Sequence, residues 1–276
     1  MPAARNRLPD NRPVRPARVR LDTAVSERTG MTRSQARSLI MEARVRVDGT
    51  VTTKAGHLTP AGAAIDIERP RRYVSRGGEK LEAALDAFAI DVRGNEALDV
   101  GASTGGFTDC LLQRGAAHVT AVDVGYGQLD WRLRNDPRVT VLERTNFRLL
   151  AGDAFRDGFD TIVVDASFIS LRTILKRAAR ELRIDANAVC LIKPQFEAGR
   201  ERLGSGGVVR DPQVHRAVLL ETRDAIVELG LAPVALVASP LLGPAGNREF
   251  FVRVRHRGEA FSLDDVERAM SDGPQA

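Results

Sequence analysis

The sequence predicts an α/β chain, with a small α+β module ahead of a larger, doubly wound parallel sheet. Three observations carry this. From residue 75 onward, β-branched apolar runs alternate with segments of helical period. One of those runs ends in a glycine-rich turn, GASTGGF, that leads into a helix. Composition and charge change across a short basic linker at 69–74, which separates the modules. A length of 276 residues suits about two domains at roughly 150 residues each. With 43% hydrophobic and 28% charged residues, the chain is neither wholly disordered nor collagen-like. It holds no apolar run long enough to span a bilayer. Its Pro- and Arg-rich start lacks the apolar stretch of a secretory signal. Two cysteines make no disulfide framework, and four scattered histidines suggest no metal site. A cytoplasmic, metal-free protein is the expectation.

Charge is unevenly placed. Residues 1–72 carry a net +8 and residues 73–276 a net −3, which points to a polyanion-binding module joined to a nearly neutral one. Residues 1–19, with four prolines and the arginines Arg5, Arg7, Arg12, Arg15 and Arg18, read as a disordered basic arm. From Arg20 the period becomes helical, with Leu21, Ala24 and Val25 on one face and Gly30 as the stop. A second helix opens near Thr32–Ser34 and places Ala36, Leu39, Ile40 and Ala43 on its apolar face. The strand VRVDG then ends in an Asp-Gly turn, the sign of a hairpin, and Thr50–Thr53 and Ala64–Glu68 supply further strand.

The order of these parts, RLDTAVSERTGMTRSQARSLI followed by VRVDG, resembles the S-four-type RNA-binding domain of ribosomal proteins over residues 20–68. It departs near Ala43-Arg44, where a glycine is usual. The resemblance implies RNA contact by Arg20, Arg33, Arg37, Arg44 and Arg46, a residue type suited to bidentate phosphate binding. The alternative is that these arginines solvate a helix face.

In the second module, spanning 75–276, a helix is expected over Lys80–Phe88. Strands are expected at Ala97–Val100, Val119–Val124, Val139–Leu142, Thr161–Val164 and Val189–Ile192. Helices fall at Thr108–Arg114, Ser170–Leu182 and Asp211–Leu229, and further strands at Val234–Ala238 and Phe250–Arg255. Continuous apolar strands indicate a parallel sheet covered on both faces. The turn LDVGASTGGFTD brings backbone close to a ligand, and Asp123, at the end of the next strand, is placed to accept from a ribose. The spacing G-x-x-x-G-G is not the dinucleotide G-x-G-x-x-G, so S-adenosylmethionine is favoured over NAD. The candidate cofactor residues are Gly101, Ala102, Ser103, Thr104, Gly105, Gly106, Phe107, Asp123, Asn146 and Asp165.

Lysine is rare here, four residues among 41 basic ones, and unlike arginine it can release its proton when desolvated or set beside another cation. Lys193 ends the strand AVCLIK and Asp165 ends TIVVD, where α/β enzymes place functional groups. The plainer alternatives are a strand-end lysine reaching water and a helix N-cap.

Read with Lys80 in SRGGEKL and Glu249 in GNREFF, these residues resemble the K-D-K-E tetrad of FtsJ-like ribose 2′-O-methyltransferases. Together with the first module, the chain resembles the TlyA family of rRNA 2′-O-methyltransferases, also called haemolysins, from Arg20 nearly to the end. Tyr73 stands where that family usually has a linker tryptophan, and Leu263–Gly273 resembles the extra helix of its longer type. The resemblance implies a Rossmann-like methyltransferase domain, S-adenosylmethionine as cofactor and ribosomal RNA or ribosomal subunits as partner. It implies Lys80, Asp165, Lys193 and Glu249 as catalytic residues, with Lys193 as the base and the two carboxylates orienting the lysines. The longer type further implies cytidines of both subunits as targets. Rival readings are a non-catalytic RNA-binding or assembly factor, a membrane-acting haemolysin, and a small-molecule methyltransferase.

Overall fold

The computed structural model describes residues 17–68, 72–151, 154–155, 157–243 and 245–274. The chain divides into two compact units, residues 1–70 and 71–276. Most of the expected basic arm, residues 1–16, and part of the expected linker, 69–71, lie outside the described residues.

The first unit runs β1 (Arg18–Arg20), α1 (Leu21–Thr29), α2 (Arg33–Met41), β2 (Val45–Val47), β3 (Thr50–Val51), β4 (Leu58–Pro60) and β5 (Ile65–Ile67). Leu21, Val25, Ala36, Leu39, Ile40 and Val45 form its core; Ala43, expected on the apolar face of α2, instead lies past the helix end at φ 60° and is exposed. Gly30 closes α1 in the left-handed region, and Thr32 opens α2 with a reciprocal capping box to Gln35. Asp48 and Gly49 turn the hairpin with positive φ at both positions, the geometry that suits the twist of β2 and β3. Two strands escaped the sequence reading. β1, which takes in residues of the expected arm, pairs antiparallel with β4, and so short a ribbon leaves no periodicity to read.

The second unit begins with α3 (Arg76–Ala87), β6 (Glu96–Val100), α4 (Gly106–Gln113), β7 (His118–Val122), α5 (Trp131–Arg134) and β8 (Val139–Leu142). It continues with β9 (Phe159–Val164), α6 (Leu171–Ala178), β10 (Leu182–Ile192) and α7 (Pro194–Glu197). It closes with α8 (Pro212–Glu228), β11 (Ala232–Ala238), β12 (Phe250–Arg255) and α9 (Leu263–Ser271). The sheet order is β11-β12-β10-β9-β6-β7-β8. β8, β7, β6, β9 and β10 are mutually parallel, and β12 runs antiparallel to both β10 and β11. Strand order therefore reverses between β6 and β9, which opens a crevice at their carboxyl ends.

Side chains alternate across the sheet. Leu98, Ile162, Cys190 and Val252 face one core with Leu175, Val218 and Val266 from α6, α8 and α9. Ala97, Val163, Val189 and Phe251 face the other, with Leu81 and Leu85 of α3 and Leu111 of α4. Several boundaries differ from expectation: β10 begins at Leu182 rather than Val189 and α4 at Gly106 rather than Thr108, and two differences at helix ends have a clear cause. α3 starts at Arg76 rather than Lys80, because its two glycines are needed for close packing rather than acting as a break. The side chain of Tyr73 lies where a Cβ on Gly78 would stand. α6 stops at Ala178, since Leu182 is taken into β10 by pairing with Phe159.

Two substitutions test this packing. α2 ends in a Schellman motif, with Ala43 N–H donating to the Ile40 carbonyl and Arg44 N–H to that of Leu39. Its left-handed position holds Ala43 at φ 60°, the place where glycine is usual. Ala43→Gly is expected to stabilise the first unit by about 1 kcal/mol in urea denaturation. In β6, Asp99 is fully buried and accepts from Thr108 Oγ1 at 2.7 Å. Burial pushes its carboxyl up to about 7, against the Thr108 hydrogen bond and with help from Asp165. The folded chain thus holds a proton that the unfolded chain has lost, so this residue's contribution falls as pH rises from about 4 to 7. The slope approaches about 1.4 kcal/mol per pH unit. Asp99→Asn is expected to flatten the fall of stability between pH 5 and 7 in denaturant titrations.

Candidate active site at the switch point of the sheet

The crevice begins with backbone. Leaving β6, the chain turns at Gly101 with φ +89°, where a Cβ would stand 2.6 Å from the carbonyl oxygen of Asp165. Only glycine lets the two strand ends come this close. From there the chain passes through Ser103 to Gly105, the N-cap of α4. A cavity of about 440 Å³ opens beside the turn, within the range of small-ligand sites. It is walled by Val122, Asp123, Phe147 and Ile174 among others. Asp123 is anchored by two backbone donors, Ser103 N–H at 2.8 Å and Gly125 N–H at 2.6 Å. Each carboxylate oxygen retains a further acceptor site, so the group suits a pair of ribose hydroxyls. Asn146 caps the turn Phe147–Leu149 and lines the same cavity. A nucleoside fits these residues, with an apolar wall for its base and a fixed carboxylate for its sugar.

A second cavity, of about 330 Å³, shares Gly101, Ser103, Asp165 and Ser167 with the first. Ala102, Thr104, Gly106 and Phe107 line it, as do Lys80, Lys193 and Glu249. Of the ten expected cofactor residues, only Gly105 lines neither cavity. Its missing side chain instead gives room to Leu129 and Leu133.

The four expected charged residues meet as two pairs. Lys80 Nζ lies 2.5 Å from Glu249 Oε2, and both side chains are almost wholly buried. Lys193 Nζ lies 2.6 Å from Asp165 Oδ1 and donates to Ser167 Oγ at 2.9 Å. Topology explains the meeting. Asp165 and Lys193 follow the parallel neighbours β9 and β10, while Glu249 precedes the antiparallel β12, which starts at that same end of the sheet. α3 brings Lys80 from the flank. Burial pushes the Glu249 carboxyl above its ordinary value, and the neighbouring Lys80 ammonium opposes that push. Neither plain alternative holds. Lys193 is largely buried against a carboxylate, and Ser170, not Asp165, occupies the N-cap of α6.

Residues the sequence reading missed sit on the loop 166–170. Phe168 is 90% exposed, is held at φ 64°, and packs its ring 4.9 Å from that of Phe196. An aromatic residue in that backbone region is strained, and no local pattern announces it. Glu197 fixes the loop from below, accepting from Leu171 N–H at 2.7 Å and from Ser170 Oγ at 2.8 Å.

In the first unit, Arg20 and Arg33 both engage the buried Asp22, at 2.8 and 3.2 Å. The Arg20 guanidinium, bonded at both ends, holds that carboxyl well below the usual carboxylate range. Arg44 lies 3.4 Å from Glu42, and Arg46 donates to the Gly49 carbonyl at 3.3 Å. Arg37 is exposed, with no ion-pair partner among the described residues. Among those residues there is no group of three metal-ligating side chains and no helix long and apolar enough to cross a membrane.

Residues 73–256 match the FtsJ-like methyltransferase family, and residues 19–65 match the S4 domain. The chain is 48% identical over 266 residues to the 16S/23S rRNA (cytidine-2′-O)-methyltransferase TlyA of Mycobacterium tuberculosis, covering 93% of this chain and 99% of that protein. It is 41% identical over 234 residues to Hemolysin A of Brachyspira hyodysenteriae, covering 84% and 98% of the two chains. Among solved structures, a candidate hemolysin from Streptococcus thermophilus superposes with a TM-score of 0.71 at 38% identity, covering 92% of this chain and 94% of that one. With a Gly101 cradle, two lysine–carboxylate pairs and these likenesses over nearly its whole length, the chain belongs to the TlyA family of FtsJ-like methyltransferases.

Proposed function

We propose that this protein methylates the 2′-hydroxyl of a ribose in ribosomal RNA, with S-adenosylmethionine as donor. One observation carries the reading: two lysine–carboxylate pairs line a cavity that adjoins the nucleoside-sized cavity at Gly101 and Asp123. The cofactor supplies a methyl group activated on a sulfonium. When it is bound, Asp123 would hold its ribose, the turn Gly101–Phe107 its amino-acid end, and Asn146 its base. Lys193 would accept the proton of the ribose hydroxyl, which turns a poor nucleophile into an effective one toward a sulfonium methyl that would leave behind a neutral thioether. Asp165 orients the Lys193 side chain toward the hydroxyl, and Glu249 holds Lys80 at the same cavity.

The first unit supplies affinity. Arg37 and Arg46 are exposed guanidinium groups on one small scaffold, suited to phosphates of folded RNA, while Arg20 and Arg33 form a surface partly neutralised by Asp22. Recognition of this kind reads shape and backbone. The relative from Mycobacterium tuberculosis is named for cytidines in both subunits' rRNA, and we carry cytidine and both subunits over to this chain. Phe168, exposed at the mouth of the cofactor cavity, offers a flat face for an unstacked base.

Lys193→Ala is expected to lower single-turnover methyl transfer by about 10²- to 10⁴-fold while cofactor affinity, read by calorimetry, stays within a few-fold. Lys193→Arg keeps a cation for Asp165 but cannot release its proton, and should be equally slow. Near-normal turnover of the arginine variant would exclude Lys193 as the base. Replacing Arg37 and Arg46 together by alanine is expected to weaken rRNA binding and to reduce its log–log salt slope by about 1 to 2. Cofactor affinity should not change.

A further inference from the structure

Glu249 owes its place to the segment 239–249 between β11 and β12, and that segment is fastened at several points. Ser239 N–H donates to the Glu249 carbonyl at 2.9 Å, and Gly243 N–H to that of Asn247 at 2.8 Å. Asn247 accepts from Val209 N–H at 2.9 Å and donates to the Gly207 carbonyl at 3.1 Å. These bonds are ordinary loop fastenings. The bond made by the next residue is not.

Arg248 is 92% buried, at 8% exposure, and has no carboxylate partner among the described residues. Its Nη2 donates to two carbonyls at the end of α9, Met270 at 2.9 Å and Asp272 at 2.8 Å. Its guanidinium lies 5.4 Å from the Phe250 ring. A cation in so dry a place is costly, and the negative end of a helix is one of the few uncharged partners that compensates it. A second contact comes from the helix side. Gly273, at φ +80°, brings its backbone against Ala238 and Ser239, where a Cβ would meet the Ala238 Cβ at 2.8 Å. The end of α9 is thus seated at both margins of the segment that carries Glu249.

Adjacent residues in extended chain point to opposite sides. Phe250 faces the core that contains α9 and Phe251 the core that contains α3. Arg248 follows the first side and Glu249 the second. We infer that Arg248 is a positioning residue: by gripping the end of α9 it fixes the peptide that aims Glu249 at Lys80. This rests on the reading that the Lys80–Glu249 pair serves methyl transfer.

The test is a double-mutant cycle in the full chain, read by single-turnover methyl transfer, cofactor calorimetry and rRNA binding. Arg248→Met, which keeps the stem and removes the donors, is expected to lower turnover by about 10- to 100-fold, with both affinities within about twofold. Arg248→Lys, retaining charge and a donor, should recover part of the loss. In a Glu249→Gln background, Arg248→Met should cost nothing further. If Glu249→Gln alone leaves turnover unchanged, the pair has no part in the reaction and the underlying reading fails. If Glu249→Gln is slow but Arg248→Met is not, or the two losses multiply, the positioning role alone is overturned. A parallel loss of cofactor affinity in Arg248→Met would likewise overturn it, as general damage. Should that variant not fold, Gly273→Ala disturbs the same seat from the helix side. It must then lower turnover in the wild-type background and not in Glu249→Gln.

Discussion

A buried ammonium group is stable only beside a carboxylate, and this requirement fixes the centre of the molecule. Lys80 and Lys193 are both largely removed from water, and each lies within 2.6 Å of an acidic oxygen. The four residues come from α3, the ends of β9 and β10, and the start of β12. Removing any partner would strand a charge in a dry cavity, at a cost of about 3–5 kcal/mol in comparable buried pairs. Sheet order, the antiparallel sense of β12 and the packing of α3 all serve to keep these pairs closed.

The same economy of charge governs the neighbouring cavity. Asp99, Asp123 and Asp165 lie near the turn at Gly101, and their mutual repulsion contributes to raising Asp99. A region rich in carboxylates suits a cofactor that carries a sulfonium and an ammonium.

What the sequence discloses follows from how local each feature is. The glycine turn, Asp123 at the next strand end, the Gly30 stop and the Thr32 cap are written within a few consecutive residues. Each stands where the pattern places it. Lys193 and Asp165 were legible because strand ends are legible. Lys80 and Glu249 came only through resemblance, since their meeting spans 169 residues of chain and no spacing encodes it. The β1–β4 ribbon, the capture of Arg20 and Arg33 by Asp22, the strained Phe168 and the hold of Arg248 on α9 all depend on tertiary contact. A pattern read along the chain has no access to them. The glycines of SRGG show the converse error: taken as a helix boundary, they lie inside α3, because what they avoid is a collision with Tyr73 and not the helix itself.

The chemistry proposed for this cavity is methyl transfer to a ribose oxygen. Mass-spectrometric mapping of rRNA nucleosides tests it most directly, in cells lacking the protein and in the same cells supplied with the wild-type chain or Lys193→Arg. 2′-O-methylated cytidine is expected to disappear with the protein, return with the wild-type chain and stay absent with Lys193→Arg. A lost methyl group found on a base carbon or nitrogen, or no change in rRNA at all, would contradict it.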